Sequence, residues 1–404
     1  MRRYVLRRLA QIVVTLYLYL TLVFFILEAI PGDVSQIYIQ NPLLTKEARE
    51  QLIRDLGLDK PLHERYFTYL VNFFLGRWGT SFSNDRPVWD IIIERLPRTA
   101  LLFLTATLIS FYLGFVLGKL IAWRRGQLIE YTSTVVGITL FTVFTPMLAL
   151  LIVWIFALQL YQWTGHSIFP IANFLDQNKW QLVSLRAETI FNYMLLTLGV
   201  LAVFSVGWWY LVHRYVHRPG ARFFVLLGGF TGAFALTAYL WVTLGECWPA
   251  FPQYGGKICN WQLALDILHH MILPVLNVTL ISFGGTMLLM RNSMLETIRE
   301  DYVMAAKAKG LPDSKVRDDH AARNALLPVV TSFVLSLALA IDGGIITETL
   351  FSWPGMGLTL LNAVQEKDMP LAVAALVFVG VFALIAHLIA DILYACLDPR
   401  IRYD

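Results

Sequence analysis

Charged residues are scarce in this sequence. Asp, Glu, Lys and Arg make up 15% of its 404 residues, whereas hydrophobic residues make up 57%. An average soluble domain carries about 25% charged residues, so this composition excludes a soluble globular protein. The formal net charge of +4 says little by itself, and we expect no nucleic-acid partner.

Cysteine is also rare, with only Cys247, Cys259 and Cys396. Three cysteines are too few for a disulfide framework or a zinc-ribbon pattern. The phosphate-binding pattern G-x-x-x-x-G-K-[ST] is absent from the sequence, which weighs against an ATPase of the P-loop type. The patterns G-x-S-x-G and H-E-x-x-H are absent too, which weighs against a membrane hydrolase. We therefore expect no catalytic residue, no bound metal and no cofactor in this chain.

The sequence has instead a series of apolar runs of about twenty residues or more, long enough to cross the hydrocarbon core of a bilayer. The first run follows MRRYVLRRLAQ and lacks a small-residue cleavage site, so we interpret it as a retained helix. The predicted fold class is all-α, a polytopic membrane protein with about eight spans. The candidate spans are 9–30, 99–122, 131–160, 190–212, 223–245, 270–290, 329–350 and 371–395.

Lys and Arg in the loops predict the orientation. With the N-terminus inside, the inside segments hold 18 Lys and Arg residues, and the short outside loops hold 4. Loops rich in Lys and Arg stay in the cytoplasm. Both termini are therefore expected to be cytoplasmic.

The long outside loop, residues 31–98, contains three helix signals. Thr45 precedes a helical pattern that reaches Leu56, and Pro61 begins a second pattern that reaches Leu75 before Gly76. Residues 87–97 are amphipathic and predict an interfacial helix before the second span. This region is either a solvated cap or a docking surface for an outside partner.

A polar inside loop predicts a second functional surface. Asp301 is a good N-cap for a short helix over Tyr302–Lys309, and Gly310 suits the left-handed position that ends it. A further helix is expected from Asp313–Lys315 to the Leu327-Pro328 boundary. The small face of the short helix, at Ala305 and Ala308, would bury little against its own chain, so we expect a partner to stabilise it. The alternative is a solvated loop.

Residues 301–328 resemble the cytoplasmic EAA loop of ABC importer permeases, most of all those of the peptide/nickel branch. The similarity rests on Tyr302-Val303, 306–311 (AKAKGL), 320–321 (HA) and 323–328 (RNALLP). Other segments agree with the same branch over roughly 1–160 and 265–404. They are 4–9 (YVLRRL), 30–33 (IPGD), 56–62 (LGLDKPL), 79–82 (GTSF), 348–357 (ETLFSWPGMG) and 397–403 (LDPRIRY).

The resemblance implies a type I ABC importer permease core in the prokaryotic inner membrane. It implies a substrate of di- or oligopeptides, with nickel or oligosaccharides as the alternative on the same scaffold. It also implies a second permease subunit, two ATPase subunits that bind ATP and Mg, and an extracytoplasmic binding protein. An ion-coupled secondary transporter is the alternative from another class. The residues that would contact the ATPase are Tyr302, Ala305, Ala306, Gly310 and Leu311.

The chain departs from the family pattern in two places. Met304 stands where the loop's name-giving Glu would be. Residues 171–265 have no counterpart in a six-span core, and they add a hairpin of two spans. The expected organisation is a first segment and span (1–30), an outer helical region (31–98), spans two and three (99–160), inserted outside loops with the extra hairpin (161–269) and core spans with the coupling loop 291–328 (270–404).

A few polar residues in or near the spans are candidates for the translocation path or for a metal. Asp342 and Glu348 are path candidates, and the alternative for Asp342 is a hydrogen bond to a neighbouring helix. His387 with Asp391, and the pair 269–270, are either metal ligands or ordinary hydrogen-bonded and interfacial residues. The ordinary interpretation is favoured for both.

Cys247 and Cys259 fall in the same outside loop, and Cys396 lies at the cytoplasmic boundary. Disulfides form outside and thiols stay reduced inside. A Cys247–Cys259 disulfide is therefore predicted, and the alternative is two separate thiols.

Overall fold

The computed structural model describes residues 2–28, 60–175, 184–215, 219–243, 247–249, 257–339, 344–366 and 368–397. Within these ranges nearly all regular structure is helical. The helices are α1 (Arg2–Glu28), α2 (Leu62–Phe74), α3 (Val88–Trp123), α4 (Leu128–Thr142), α5 (Thr145–Thr164, π-helical over Val153–Gln159), α6 (Ser184–Tyr215), α7 (Pro219–Thr243), α8 (Asn260–Thr297), α9 (Asp301–Ala308), α10 (Asp313–Lys315, continued by the π-helical Val316–Ala321), α11 (Ala322–Leu339), α12 (Ile345–Leu350), α13 (Met356–Gln365) and α14 (Met369–Leu397).

Five of the described helices are long and apolar enough to cross a membrane. They are Arg7–Ile26, Val88–Trp123, Thr145–Thr164, Phe224–Thr243 and Asn260–Thr297. Shorter apolar helices cover Leu128–Thr142, Thr189–Ser205 and Met369–Ile385. The all-α, polytopic fold class is thereby confirmed, and the count of eight spans stays a prediction.

Helices α3 and α8 form the centre of the bundle. They run in the same direction, because Leu102 of α3 packs near Leu263 of α8, and Ala122, further along α3, packs near Met294, further along α8. Glycine allows the close approach: a Cβ on Gly118 would lie 2.6 Å from the Met287 carbonyl oxygen. Small residues at such contacts let helices associate in lipid, where the hydrophobic effect does not drive them together.

The parallel pair α3 and α8 gives the bundle two ends. We call the end that carries residues 119–130 and 291–325 the basic end, and the end that carries residues 78–99, 257–270 and 344–371 the opposite end. Helix α14 runs back along α1, where the Tyr19 hydroxyl donates a hydrogen bond of 2.7 Å to the Leu376 carbonyl.

The predicted third span, 131–160, consists of two helices. Helix α4 ends at Thr142, Val143 has extended backbone with φ −63° and ψ 143°, and α5 begins at Thr145. Pro146 lies in the first turn of α5, where its missing N–H costs no helical hydrogen bond. The proline thus begins a helix here, whereas Pro274 lies inside the continuous α8.

The outer region before the second span is partly as predicted. The helix expected from Pro61 to Leu75 is confirmed as α2, and Gly76 has φ +69°. The helix expected over 45–56 lies outside the described residues. The interfacial helix expected over 87–97 is wrong as a separate element, because α3 runs without interruption from Val88 through Pro97.

The apolar face of residues 87–97 is covered by protein. Val88, Ile91 and Ile92 pack against Met356 and Leu371, which are more than 250 residues further along the chain. An amphipathic pattern shows that one face is buried, but it does not say whether lipid or protein buries it.

The predicted seventh span, 329–350, is also divided. Helix α11 ends at Leu339, and α12 is a separate short helix that begins after Gly344. Asp342 lies outside the described residues. The boundary expected at Leu327-Pro328 is wrong, because α11 continues through Pro328. Membrane helices tolerate such prolines when neighbouring groups satisfy the freed carbonyl.

The hairpin α6–α7 lies at the edge of the bundle. Helix α6 packs against α3 and α8 through Ile190, Phe191 and Met194. The apolar stretch of α7, by contrast, is 0% buried. Among Gly228, Gly229 and Gly232 of α7, only Gly229 lies close to described atoms of α6, because a Cβ there would overlap the Trp208 ring. A Cβ on Gly228 or Gly232 would meet no described atom within 4 Å.

A two-stranded antiparallel ribbon precedes α8. It consists of β1 (Cys247–Pro249) and β2 (Lys257–Cys259), in which Cys247 and Cys259 are direct partners. Cys259 is disulfide-bonded, and the structure describes Cys247 by its backbone alone. The Cys247–Cys259 bridge therefore stays a prediction, and the ribbon's register supports it.

The ribbon leads to a test by thiol labelling of the denatured, unreduced protein. We expect alkylation of Cys396 only, because the other two sulfurs are bonded to each other, and three alkylated thiols after reduction. Cys396→Ser is the matched control and should take up no label before reduction. Labelling of Cys259 in that control, read by peptide mass, would contradict the bridge.

Candidate functional site

Helix α9 is the short helix predicted in the loop at the basic end. It spans Asp301–Ala308, so Asp301 is its first helical residue and Glu300 its N-cap, one residue earlier than predicted. Gly310 has φ +73° and its N–H donates to the Lys307 carbonyl at 2.9 Å. The left-handed glycine that ends the helix is as predicted.

One face of α9 is buried against the chain's own helices. Val303 is 0% exposed and Ala306 is 5% exposed. Both pack in one cluster with Ala122 of α3 and with Met290 and Met294 of α8. The small face at Ala305 and Ala308 is exposed, as predicted, but the face with Val303 and Ala306 is buried against the chain's own helices, which the sequence did not predict. Ala306, predicted as a partner contact, faces inward and seats the helix instead.

Polar groups add further contacts between α9 and its neighbours. The Asn324 side-chain amide of α11 donates to the Tyr302 hydroxyl at 2.8 Å. The Lys307 ammonium lies 4.9 Å from the centre of the Trp123 ring at the end of α3, close enough for a cation–π interaction. Sequence reasoning missed Asn324 and Trp123 as supports, because both pairings join residues far apart in the chain.

The other face of α9 is open to solvent. Tyr302 is 39% exposed and Met304 is 53% exposed, and Ala305, Ala308 and Gly310 are also exposed. Ala305 and Ala308 are one turn apart, so together they form a strip of small side chains that another backbone can approach closely. Leu311 is half-buried beneath the end of the helix. The structure thus brings Tyr302, Ala305 and Gly310 onto one accessible surface.

Ion pairs hold the loops around α9 in place. Asp318 lies 2.9 Å from the Lys119 ammonium and 2.7 Å from the Arg317 guanidinium. The hydrogen bond from Arg317 holds the pKa of the Asp318 carboxyl below its usual range. Glu130 pairs with Arg291 of α8 and also accepts the Gly126 N–H at 2.6 Å. Because these pairs link α10 and the α3–α4 turn to long helices, the seat of α9 is fixed on several sides.

Glu348, predicted as a candidate for the translocation path, is fully buried at the opposite end. It is 0% exposed, which corrects that prediction. The Thr99 hydroxyl of α3 donates to Glu348 Oε1 at 2.7 Å, and the Leu358 N–H donates to Oε2 at 2.9 Å. Thr99 Oγ1 itself accepts the Met356 N–H at 2.7 Å. The carboxyl group therefore ties residues 348–358 to the second span.

The segment ETLFSWPGMGL, residues 348–358, folds around this carboxyl group. Trp353 is fully buried, and its indole N–H donates to the Arg98 carbonyl at 3.1 Å. A Cβ on Gly355 would overlap both Glu348 Oε1 and Thr99 Oγ1. The sequence pattern that carries part of the family resemblance is thus explained by packing and hydrogen bonding.

Histidines and acids occur together at one further place in the described residues. Asp266, His269 and His270 lie in the first turns of α8, and one potential ligand atom from each lies within 4.8 Å of the others. Sequence reasoning paired the two histidines and missed Asp266. His387 Nδ1 is hydrogen-bonded to the Ala383 carbonyl of its own helix at 2.8 Å, and the structure does not describe the Asp391 side chain.

The chain matches two family descriptions. Residues 1–103 match "Binding-prot-dependent transport system membrane comp, N-term", and residues 110–403 match "Binding-protein-dependent transport system inner membrane component". The chain belongs to this family of transport-system inner membrane components. Helix α9 and the Glu348 junction both lie in the larger match.

Similar proteins extend over the whole chain. It is 28% identical over 403 residues to "Dipeptide transport system permease protein DppB" of Escherichia coli strain K12, which covers all of this chain and 99% of that protein. It is 28% identical to "Di/tripeptide transport system permease protein DppB" of Pseudomonas aeruginosa and 29% identical to "Oligopeptide transport system permease protein AppB" of Bacillus subtilis, with full coverage of both chains in each case. The resemblance to peptide-branch permeases is thereby confirmed. The expectation that residues 171–265 are an addition stays a prediction.

The packing at the Glu348 junction predicts the effect of adding one methyl group. Gly355→Ala should lower the free energy of unfolding by about 1–3 kcal/mol, because the new Cβ overlaps two hydrogen-bonded oxygens in a closed site. The measurement is the melting temperature of the purified protein in detergent. Gly199→Ala is the matched control, because a Cβ there meets no described atom within 4 Å and alanine favours the helix. Equal melting temperatures for the two variants would contradict this account.

Proposed function

We propose that this chain is the permease subunit of an ATP-driven, binding-protein-dependent importer of di- or oligopeptides, and that α9 is its contact with an ATPase subunit. The observation that carries the proposal is that α9, in a member of this family, is buried on one side and exposed on the other. One side is seated on the two central helices, and the other side exposes Tyr302, Met304 and Ala305.

The seat of α9 supports a coupling role in physical terms. Val303 and Ala306 contact the last turns of α3 and α8, and Tyr302 is hydrogen-bonded to α11. A partner that moves α9 therefore moves three helices at their ends. Because protein interiors are densely packed, such a displacement is transmitted along the helices rather than absorbed at the contact.

The charge distribution supports an orientation. Lys and Arg concentrate in the inside segments defined by the sequence, 18 against 4 in the short outside loops, and this excess marks the cytoplasmic side. The basic end with α9 would then face the cytoplasm, where ATPase subunits that carry ATP and Mg reach it. Both termini would be cytoplasmic, and the extracytoplasmic binding protein would dock at the opposite end.

The remaining partner and the substrate follow from the relatives. Proteins named as dipeptide, di/tripeptide and oligopeptide permeases match this chain along its whole length, which favours peptides over nickel or oligosaccharides. A second permease subunit would complete the path across the membrane of a prokaryotic cell. The sequence has no phosphate-binding pattern of its own, so the energy would come from partner subunits.

The coupling role is tested by enlarging the exposed strip of α9. Ala305→Trp should lower peptide-stimulated ATP hydrolysis of the reconstituted complex about tenfold or more, equivalent to about 1.4 kcal/mol, because the indole holds the partner away from the strip. The melting temperature of the permease should not change, since Ala305 is exposed.

Two controls separate coupling from folding. Leu128→Trp changes another exposed residue at the basic end, away from α9, and should leave ATP hydrolysis unchanged. Ala306→Trp overfills a buried position and should lower the melting temperature. Wild-type stimulation in a stable Ala305→Trp complex would overturn the coupling role.

The substrate class is tested by uptake in cells that lack their own peptide importers. Cells that express the complete complex should accumulate a labelled dipeptide, and excess unlabelled di- and tripeptides should compete. Excess Ni²⁺ or oligosaccharide should not compete, because neither presents the backbone groups of a peptide. Accumulation of labelled Ni²⁺ by the same cells, with no dipeptide uptake, would contradict the peptide assignment.

A further inference from the structure

Asp266, His269 and His270 lie on one side of α8 near its beginning. Their spacing of i, i+3 and i+4 places three potential ligands on one helical face. One ligand atom from each lies within 4.8 Å of the others. Zinc ligands sit about 2.0–2.2 Å from the ion, so two ligand atoms of one ion lie no more than about 4.4 Å apart, close to the spacing found here.

The hydrogen bonds of the two imidazoles leave one ring nitrogen for a ligand on each. His269 Nε2 lies 2.7 Å from the Ile168 carbonyl oxygen, and His270 Nδ1 lies 2.8 Å from the Asp266 carbonyl oxygen. A carbonyl oxygen only accepts, so both of these nitrogens donate. The lone pairs that remain are on His269 Nδ1 and His270 Nε2. The Asp266 carboxylate lies 3.8 Å from His270 Nδ1, so it would rotate towards Nε2 to share an ion with that nitrogen. Histidine ligands of metals usually have their other N–H held in this way, by a carbonyl or a carboxylate.

The three residues are buried to different degrees, so the cluster is open to solvent on one side. The His270 side chain is 8% exposed and the Asp266 side chain 14% exposed, whereas His269 is the least buried of the three. Two imidazoles and one carboxylate suit zinc and neighbouring transition metals, with a fourth position left for water. Ca²⁺ and Mg²⁺ prefer sites built of oxygen ligands alone. We propose that Asp266, His269 and His270 bind one Zn²⁺ ion at the opposite end of the bundle.

The ion would join two parts of the chain. His269 already bridges α8 and the segment after α5, through its hydrogen bond to Ile168 and its ring contact with Phe169, at 6.2 Å between centroids. A metal ion that fixes the His269 ring would hold residues 168–169 against α8. The proposal rests on this geometry and does not depend on the transported substrate.

The test is calorimetric titration of Zn²⁺ into tag-free, chelator-treated protein in detergent. We expect one equivalent of tightly bound ion and a melting temperature that rises with Zn²⁺ but not with Mg²⁺. His269→Gln and Asp266→Asn should each weaken binding by about tenfold or more, since loss of a ligand exceeds the loss of a supporting hydrogen bond. His166→Gln is the matched control, an exposed histidine nearby that is outside the cluster.

Two outcomes would overturn the proposal. One is the absence of both heat and a melting shift in the wild-type protein. The other is an unchanged equivalent of Zn²⁺ in His269→Gln and Asp266→Asn, which would place the ion elsewhere. His269 is less buried than His270, so its variant is expected to fold even where a variant of the buried His270 does not.

Discussion

The long contact between α3 and α8 is the constraint on which both ends of the molecule depend. These helices have 36 and 38 residues, which at 1.5 Å per residue makes them about 54 and 57 Å long. A bilayer's hydrocarbon core is about 30 Å thick, so both helices project beyond it. Glycines such as Gly118 bring them into backbone contact. The two ends of this helix pair then provide two fixed platforms. One lies under α9 at the basic end, and the other includes Thr99 and His270 at the opposite end.

The two platforms use different chemistry. At the basic end, Val303 and Ala306 pack among methionine and alanine side chains, and ion pairs such as Lys119–Asp318 surround them. At the opposite end, the buried Glu348 carboxyl is satisfied by Thr99 and by the Leu358 N–H. A buried carboxyl without such partners would cost several kcal/mol, so the segment that supplies them has little freedom to rearrange. The first platform seats an exposed surface, and the second holds its own chain in one conformation.

The sequence predicts the parts of this structure that depend on neighbouring residues. Apolar runs locate the membrane helices, Pro61 and Gly76 bound α2, and Gly310 ends α9, because each signal acts within a few residues. It fails where distant residues decide the outcome. Residues 87–97 look interfacial until residues 356–371 cover them. Glu348 looks accessible until Thr99 and residues 353–358 enclose it. Ala306 and Ala305 are chemically identical, and only the position of α8 makes one buried and the other exposed.

The seating of α9 changes how a partner would use it. An isolated helix of eight residues is marginal in water, so the sequence alone favours a helix that forms on binding. In this chain α9 does not need a partner in order to form, because the packing of Val303 and Ala306 against α3 and α8 holds the helix in the free chain. Binding free energy is then not consumed in ordering the contact. A contact that is already ordered also passes a displacement on to the helices beneath it. A helix that formed only on binding would first absorb that displacement by refolding, so a preformed seat suits the coupling role proposed for this short surface helix.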